Sequence, residues 1–130
     1  MEQWNEIFKG TIPKGAYECK LINGENCGLV ILLNNKSYAV TIDFGVTICL
    51  RMFDEGALLM EWPPFYEAKR TNGFSNIIYE ICDGSLLETV KSLSSNLYED
   101  GELHHYVVVT ENYVIEIISK WEPDISVLEI

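Results

Sequence analysis

The C-terminal part of the chain contains a β-hairpin whose two strands are apolar on both faces. Residues 103–110 and 113–120 flank the polar pair Glu111-Asn112, which fits a two-residue hairpin loop. When Thr110 pairs with Tyr113, one face carries Tyr106, Val108, Tyr113, Ile115 and Ile117, and the other carries Val107, Val109, Val114 and Ile118 with Glu116. Because neither face is polar, both need to be covered by other parts of the chain. The hairpin is therefore predicted to lie at the centre of a sheet.

Alternation of apolar and polar residues predicts strands earlier in the chain. Tyr17, Cys19 and Leu21 alternate with charged residues, as in a half-buried strand. Residues 28–33 and 36–44 form a predicted hairpin around Asn34-Asn35. Leu33 can pair with Lys36 or with Tyr38, and both registers give the same apolar face: Leu29, Ile31, Leu33, Tyr38, Val40 and Ile42. That face is predicted to belong to the core.

Further strands are predicted on either side of an aromatic loop and at the C-terminal end. Gly45 indicates a bulge or bend before a strand over 46–53. After the loop, strands are predicted over 74–82 and over 125–130.

Two segments have helical spacing of their apolar residues. Trp4, Ile7 and Phe8 recur at positions i, i+3 and i+4, which predicts a short N-terminal helix that closes near Gly10. A longer helix is predicted over 85–97, where a capping box of Ser85 and Glu88 precedes one apolar face: Leu86, Val90, Leu93 and Leu97.

These elements predict one α+β domain over residues 1–130. Its main feature is a twisted antiparallel sheet of about seven strands with one main helix against it. The pattern leaves open whether the sheet stays open or curls into a partial barrel or a sandwich.

Negative charge is concentrated in the folded C-terminal part. The whole chain has a net charge of −11, and residues 99–130 contain eight acidic residues and one lysine, a net charge of −7. Nucleic acids and anionic membrane surfaces attract basic proteins, so neither is predicted as a direct partner. The charge favours a basic protein partner, although acidity can also serve solubility alone.

The four cysteines, Cys19, Cys27, Cys49 and Cys82, form no C-x-x-C motif and have no histidine at zinc-site spacing. Neither a metal site nor a cofactor is predicted. The N-terminal residues lack the basic and apolar regions of a signal peptide, and no apolar run reaches the length of a membrane span. We therefore expect a cytoplasmic protein with reduced thiols, in which Cys49 and Cys82 are buried and Cys19 points inward.

Two acidic segments flank the C-terminal hairpin and form the main candidate site. Residues 103 and 120 lie opposite each other in the predicted register, so both segments meet at the open end of the hairpin. The candidate binding residues there are Glu99, Asp100, Glu102, Glu122 and Asp124. Glu111, at the turn, belongs to a different patch.

A second candidate is the aromatic loop Glu61-Trp62-Pro63-Pro64-Phe65-Tyr66. Trp62 and Phe65 are either exposed interface anchors or plugs of the core, and we predict that one is buried and one exposed. His105 lies diagonal to Glu116 on one face of the hairpin, which predicts a hydrogen-bonded structural pair. Catalysis by this pair, as in a small hydrolase, is the weakest of the functions considered, and no catalytic residue is predicted.

Two segments resemble small bacterial immunity proteins encoded beside polymorphic toxins. The first is HHYVVVTENYVIEIISKWEPDI, with the matching positions His105, Tyr106, Ser119, Glu122, Pro123, Asp124 and Ile125. The second is TIDFGVTICLRMFDEG, and together they cover just under a third of the chain. The resemblance implies a cytoplasmic protein that binds and neutralises a toxin domain, in many cases a nuclease with a basic cleft. The alternative is a small-ligand or regulatory domain with a pocket lined by Tyr and Trp.

Overall fold

The computed structural model describes residues 2–54 and 77–130, which contain nine strands and one helix. The strands are β1 Gln3–Glu6, β2 Glu18–Gly24, β3 Gly28–Asn34, β4 Tyr38–Gly45, β5 Cys49–Asp54, β6 Ile78–Cys82, β7 His104–Val109, β8 Tyr113–Ser119 and β9 Asp124–Glu129. The helix, α1, spans Ser85–Leu93 and lies between β6 and β7.

The described strands form two antiparallel sheets rather than one. The five-stranded sheet has the order β1-β6-β7-β8-β5, and the four-stranded sheet has the order β2-β3-β4-β9. The prediction of about seven strands was therefore too low, and the described sheets do not close into a barrel. The described part of the chain is mostly β, and its two sheets pack face to face.

The C-terminal hairpin has the predicted register. Tyr106 pairs with Ile117, Val108 pairs with Ile115, and the Thr110 N–H donates to the Tyr113 carbonyl at 2.9 Å. β7 lies at the middle of the five-stranded sheet and β8 lies beside it. The central position of the hairpin is thus confirmed.

One face of this hairpin lies in the core between the sheets. The core residues come from both sheets and from the segments next to them: Tyr17, Leu29, Ile31, Leu33, Val40, Ile42, Phe44, Ile77, Ile78, Tyr106, Val108, Ile115 and Ile117. All are buried, and the Phe44 and Tyr106 rings meet at 5.7 Å between centroids. Burial of this apolar area is the main stabilising term of the fold.

The opposite face of the five-stranded sheet is also buried. Toward one end, α1 covers it with Leu86 and Val90, which pack with Leu103 and Ile118. Toward the other end lies a second cluster: Tyr79, Ile81, Val107, Val109 and Val114, with Trp4 and Phe53 against it. Both faces of the hairpin are therefore apolar because both are covered.

The β3–β4 hairpin keeps the predicted face but not the predicted register. Leu33 pairs with Val40, which is neither Lys36 nor Tyr38. The Asn35 side chain explains the longer loop, since its Oδ1 accepts the N–H groups of Ser37 and Tyr38 at 2.9 and 2.8 Å. A shift of two residues leaves every side chain on its original face, so the predicted apolar face is correct.

The predicted bulge at Gly45 is present. Leu29 pairs with Gly45 while Val30 pairs with Asp43, so Phe44 is the extra residue of β4. Gly45 has a φ of 67°, a conformation that favours glycine. β5 begins at Cys49, three residues later than predicted.

The predicted N-terminal helix is wrong, because residues 3–6 form the edge strand β1. Trp4 pairs with Ile81 of β6 and packs against the Tyr79 ring at 5.5 Å between centroids. Three apolar residues at helical spacing are a short pattern, and hydrogen bonds to a neighbouring strand outweigh it. Tertiary contact decides the state of such a segment.

Helix α1 is shorter than predicted and lacks the predicted capping box. Gly84 is its N-cap and no side chain caps it, although the Ser85 N–H donates to Glu2 Oε1 at 3.3 Å. After Leu93 the chain turns through Ser95 and Asn96, which both have positive φ. Leu93 and Leu97 are consequently exposed.

All four cysteines lie in the described residues and are free thiols. Cys49 is only half-buried and Cys82 is exposed, both contrary to the prediction of burial, while Cys19 is half-buried. Cys82 is the last residue of β6, beyond the packed core, and its Sγ accepts a hydrogen bond from Asn5 Nδ2 at 3.3 Å.

Candidate functional site

The two acidic segments meet at the open end of the C-terminal hairpin. His104 pairs with Ser119 at the last step of the ladder. Residues 103 and 120 therefore come next on the two strands, at the open end of the hairpin, as predicted. Lys120 Nζ lies 3.2 Å from Glu102 Oε2 and 5.4 Å from the centre of the Tyr98 ring. The turn over 98–102 is therefore held against the connection between β8 and β9.

Glu102 stabilises this turn. Its Oε1 accepts the Glu99 N–H at 2.9 Å, while its Oε2 pairs with Lys120. The backbone N–H of Glu99 and, next, the Lys120 side chain lower the pKa of the Glu102 carboxyl. Glu102 is thus a positioning residue, and its neighbours are better placed to meet a partner.

The other four acidic candidates at this end are exposed: Glu99, Asp100, Glu122 and Asp124. The described part of the chain places no basic side chain in ion-pair contact with Asp100, Glu122 or Asp124. Asp124 lies directly opposite Asp43 of β4, which is exposed as well. Like charges directly opposite each other in a sheet are unfavourable, so these carboxylates would gain from a cationic neighbour.

An exposed tryptophan lies next to Glu122 in the connection between β8 and β9. Trp121 is 61% exposed, and it stands between Lys120, which contacts Glu102, and Glu122. Sequence reasoning missed it, although its position between a predicted strand end and Pro123 was a signal of exposure. We define the open-end surface as Glu99, Asp100, Trp121, Glu122 and Asp124.

A histidine–carboxylate pair lies at the edge of the inter-sheet core near this surface. His104 Nδ1 lies 3.0 Å from Glu80 Oε2, and the His104 ring stacks on Tyr106 with 5.9 Å between centroids. Burial, followed by the charges of Glu80 and Glu122, raises the pKa of the Tyr106 hydroxyl. Both Glu80 and Glu122 therefore lie close enough to the Tyr106 hydroxyl to act on it.

The predicted His105–Glu116 pair is present and fully buried. His105 Nε2 lies 2.9 Å from Glu116 Oε1, and the Nε and Nη2 atoms of Arg51 both contact Glu116 Oε2. Sequence reasoning missed Arg51, which reaches Glu116 because β5 pairs with β8.

The second ring nitrogen of His105 has no hydrogen-bond partner among the described residues and faces Gly84. An added Cβ on Gly84 would overlap the imidazole ring, so nothing larger than glycine fits there. Burial raises the pKa of the neighbouring Cys49 thiol, with Arg51 opposing and Glu116 adding to the shift. The pair is enclosed within the protein.

Two open clefts are formed by described residues. One, of about 430 Å³, is lined by Asn23, Gly24, Glu25, Gly28, Val46, Thr47, Ile48, Cys49 and Leu50. The other, of about 590 Å³, lies at the far end of the hairpin and is lined by Ala16, Glu18, Asn34, Asn35, Lys36 and Glu111. Neither cleft has a tyrosine or tryptophan in its lining.

Trp62 and Phe65 lie outside the described residues, so their prediction stays a prediction. Over 2–54 and 77–130, no group of three or more His, Cys, Asp or Glu side chains is arranged to hold a metal ion. The helix found in these ranges is too short to cross a bilayer.

Comparison with known proteins gave no match to a family model, a curated protein or a solved structure.

Proposed function

We propose that this chain is a cytoplasmic immunity protein that neutralises a basic toxin domain through the open-end surface. The observation that carries the proposal is the exposed Trp121 at the end of the hairpin where four exposed carboxylates also lie: Glu99, Asp100, Glu122 and Asp124. Binding energy at protein interfaces concentrates in a few residues, among which tryptophan is frequent. A rim of charge around such an anchor provides orientation and fast association.

The strands and the turn that carry the open-end surface favour binding without a large conformational change. β7 and β8 are the central strands of their sheet, and the turn over 98–102 is fixed to Lys120 by Glu102. A surface that is ordered before binding loses little conformational entropy when its partner arrives. It therefore suits tight inhibition.

The charge indicates the chemistry of the partner. A toxin that acts on nucleic acid needs a cleft rich in Lys and Arg, because the substrate is polyanionic. Exposed carboxylates would pair with the same side chains and occlude that cleft. A nuclease domain is therefore the preferred class of toxin.

The alternative of a small-ligand or regulatory domain has less support. It requires an aromatic-lined pocket, and the two described clefts have none. The space between the sheets is filled by buried side chains. A hydrolase using His105 and Glu116 has less support still, because both side chains are fully buried.

Reversing two charges at the open-end surface is expected to slow toxin binding. In the variant Asp100→Lys/Glu122→Lys, both residues are exposed and neither is in ion-pair contact with a described basic residue, so the fold should remain intact. We expect association to slow by about tenfold at low salt, and the difference should shrink as salt rises. Surface plasmon resonance with the basic C-terminal domain of the neighbouring secreted-toxin gene measures this rate.

The matched control is Glu18→Lys/Glu111→Lys, at the far end of the hairpin. Each replacement changes the charge by two, so both variants have a net charge of −7 instead of −11. Equal slowing in both variants would show that total charge, rather than this surface, steers binding. Lack of such a gene, or of binding by the unmodified protein, would contradict the immunity function itself.

Truncating the anchor should affect dissociation instead. Trp121→Ala removes an exposed side chain, so stability should change by less than about 0.5 kcal/mol. If Trp121 inserts into the toxin, the complex should lose about 2 kcal/mol, mainly through faster dissociation. Leu93→Ala is the control, since Leu93 is an exposed apolar residue outside the open-end surface. Unchanged dissociation of the Trp121 variant would remove it from the interface.

A further inference from the structure

Strand β9 leaves one edge of the four-stranded sheet open. β9 is the last strand in the order β2-β3-β4-β9 and pairs only with β4 among the described strands. The Ile130 N–H donates to the Ser37 carbonyl at 2.9 Å, which fixes the hydrogen-bonding alternation along β9. Residues 124, 126 and 128 therefore direct their backbone groups to β4, and residues 125, 127 and 129 direct theirs away from the sheet.

The outward-directed backbone groups are available to a partner. No hydrogen bond from the described residues reaches the outward N–H or C=O groups of Ile125, Val127 or Glu129. Val127 is 38% exposed and Leu128 is 68% exposed, one on each face of the strand. Such an edge is a template for another strand, and its charged residues over 124–129 are confined to the two ends, Asp124 and Glu129.

We propose that the β9 edge binds an extended, basic segment of another protein as an added β-strand. The outward N–H and C=O groups would form an antiparallel ladder, and Val127 and Leu128 would pack against apolar side chains of the added strand. Asp124 and Glu129 lie at the two ends of β9, and both are exposed. A strand with a lysine or arginine at each end would pair with both carboxylates.

A second copy of this chain fits the edge less well. In a two-fold antiparallel pairing centred on Val127, Ile125 of each copy would lie opposite Glu129 of the other. An apolar side chain would then meet a carboxylate at both ends of the ladder. Each copy also has a net charge of −11, so association would bring like charges together.

This site shares Asp124 with the open-end surface but does not depend on the immunity function. The open-end surface binds through side chains on a turn and a strand connection, whereas the β9 edge would bind through backbone groups. Its test therefore uses a synthetic peptide rather than a toxin, and the two proposals can fail separately.

The probe is the peptide Lys-Val-Ile-Thr-Val-Lys, blocked at both ends. Paired antiparallel with β9, it places lysines opposite Glu129 and Asp124, and isoleucine opposite Val127. Backbone amide NMR shifts of the labelled protein report its binding. We expect saturable changes centred on residues 125, 127 and 129, with a dissociation constant of about 0.1–1 mM. The analogue with glutamate at both ends should bind at least about tenfold more weakly.

Val127→Pro tests whether backbone pairing is responsible. It removes an N–H that points away from the sheet, which is the position where proline is tolerated in an edge strand. We expect it to fold and to lose at least about tenfold in peptide affinity. Val127→Ala keeps the N–H and should lose less than about threefold. Ser126→Pro removes a bond to β4 and should destabilise the protein, which checks the hydrogen-bonding alternation.

Each result decides for or against the site. Equal binding to the Val127→Pro and Val127→Ala variants, or shifts located away from β9, would overturn the proposal. Absence of saturable binding by the unmodified protein would overturn it as well. Sedimentation of the protein alone should show a monomer, and a dimer that Val127→Pro abolishes would mean that a second copy occupies the edge.

Discussion

Replacing Glu116 with leucine is expected to lower the free energy of unfolding by about 2–3 kcal/mol, because it leaves a buried hydrogen-bonding group without its partner. The carboxylate lies between the His105 imidazole and the Arg51 guanidinium, and neither oxygen reaches solvent. Without it, the buried His105 Nε2 loses its hydrogen-bond partner while its other nitrogen already has none among the described residues. Arg51 is partly exposed and can turn to water, so most of the loss comes from His105.

The chain contains its own control for this prediction. The adjacent residue His104 pairs with Glu80 on the other side of the sheet, at nearly the same distance, but both side chains are 36% exposed. Because water can replace that contact, Glu80→Leu should cost less than about 1 kcal/mol. Glu116→Gln retains an oxygen for His105 and should fall between the two. Urea unfolding followed by circular dichroism measures all three, and equal losses at positions 80 and 116 would contradict this account.

Replacing Gly28 with alanine is expected to lower the free energy of unfolding by about 4 kcal/mol or more. Gly28 begins β3 with a φ of 69°, and it lies against the backbone of the β4 bulge. An added Cβ would overlap the Gly45 carbonyl and lie 2.7 Å from the Val46 nitrogen. Relief of this clash requires the two strands to separate at the first pair of the ladder.

Gly45 provides the comparison that separates steric overlap from backbone strain. Its φ of 67° nearly equals that of Gly28, but an added Cβ would meet no atom within 4 Å. Gly45→Ala should therefore lower the free energy of unfolding by only about 1–2 kcal/mol, which is the cost of placing alanine in the left-handed conformation. If the Gly28→Ala variant does not fold and the Gly45→Ala variant does, the result also supports the larger loss of stability at Gly28. Equal melting temperatures for the two variants would exclude the close approach at Gly28.

The sequence was most informative where contacts are local. A two-residue loop between two apolar segments fixes the register of β7 and β8, and that register alone places His105 beside Glu116. The same geometry brings residues 99–102 and 120–124 to one end of the hairpin. Alternation with a period of two also gives the core face of β3 and β4, and a register error of two residues does not change it.

Only the tertiary structure decided how the strands divide between the sheets. β9 follows β8 in sequence, yet it leaves that sheet and pairs with β4, so its open edge has no local signal. Arg51 joins the buried network because β5 lies beside β8, about 65 residues apart in the chain. Trp4 enters a strand rather than a helix because β6 offers hydrogen bonds and Tyr79 offers a ring surface. Pairing between distant segments depends on the free energy of the whole fold, whereas a short pattern reports only the nearest neighbours along the chain.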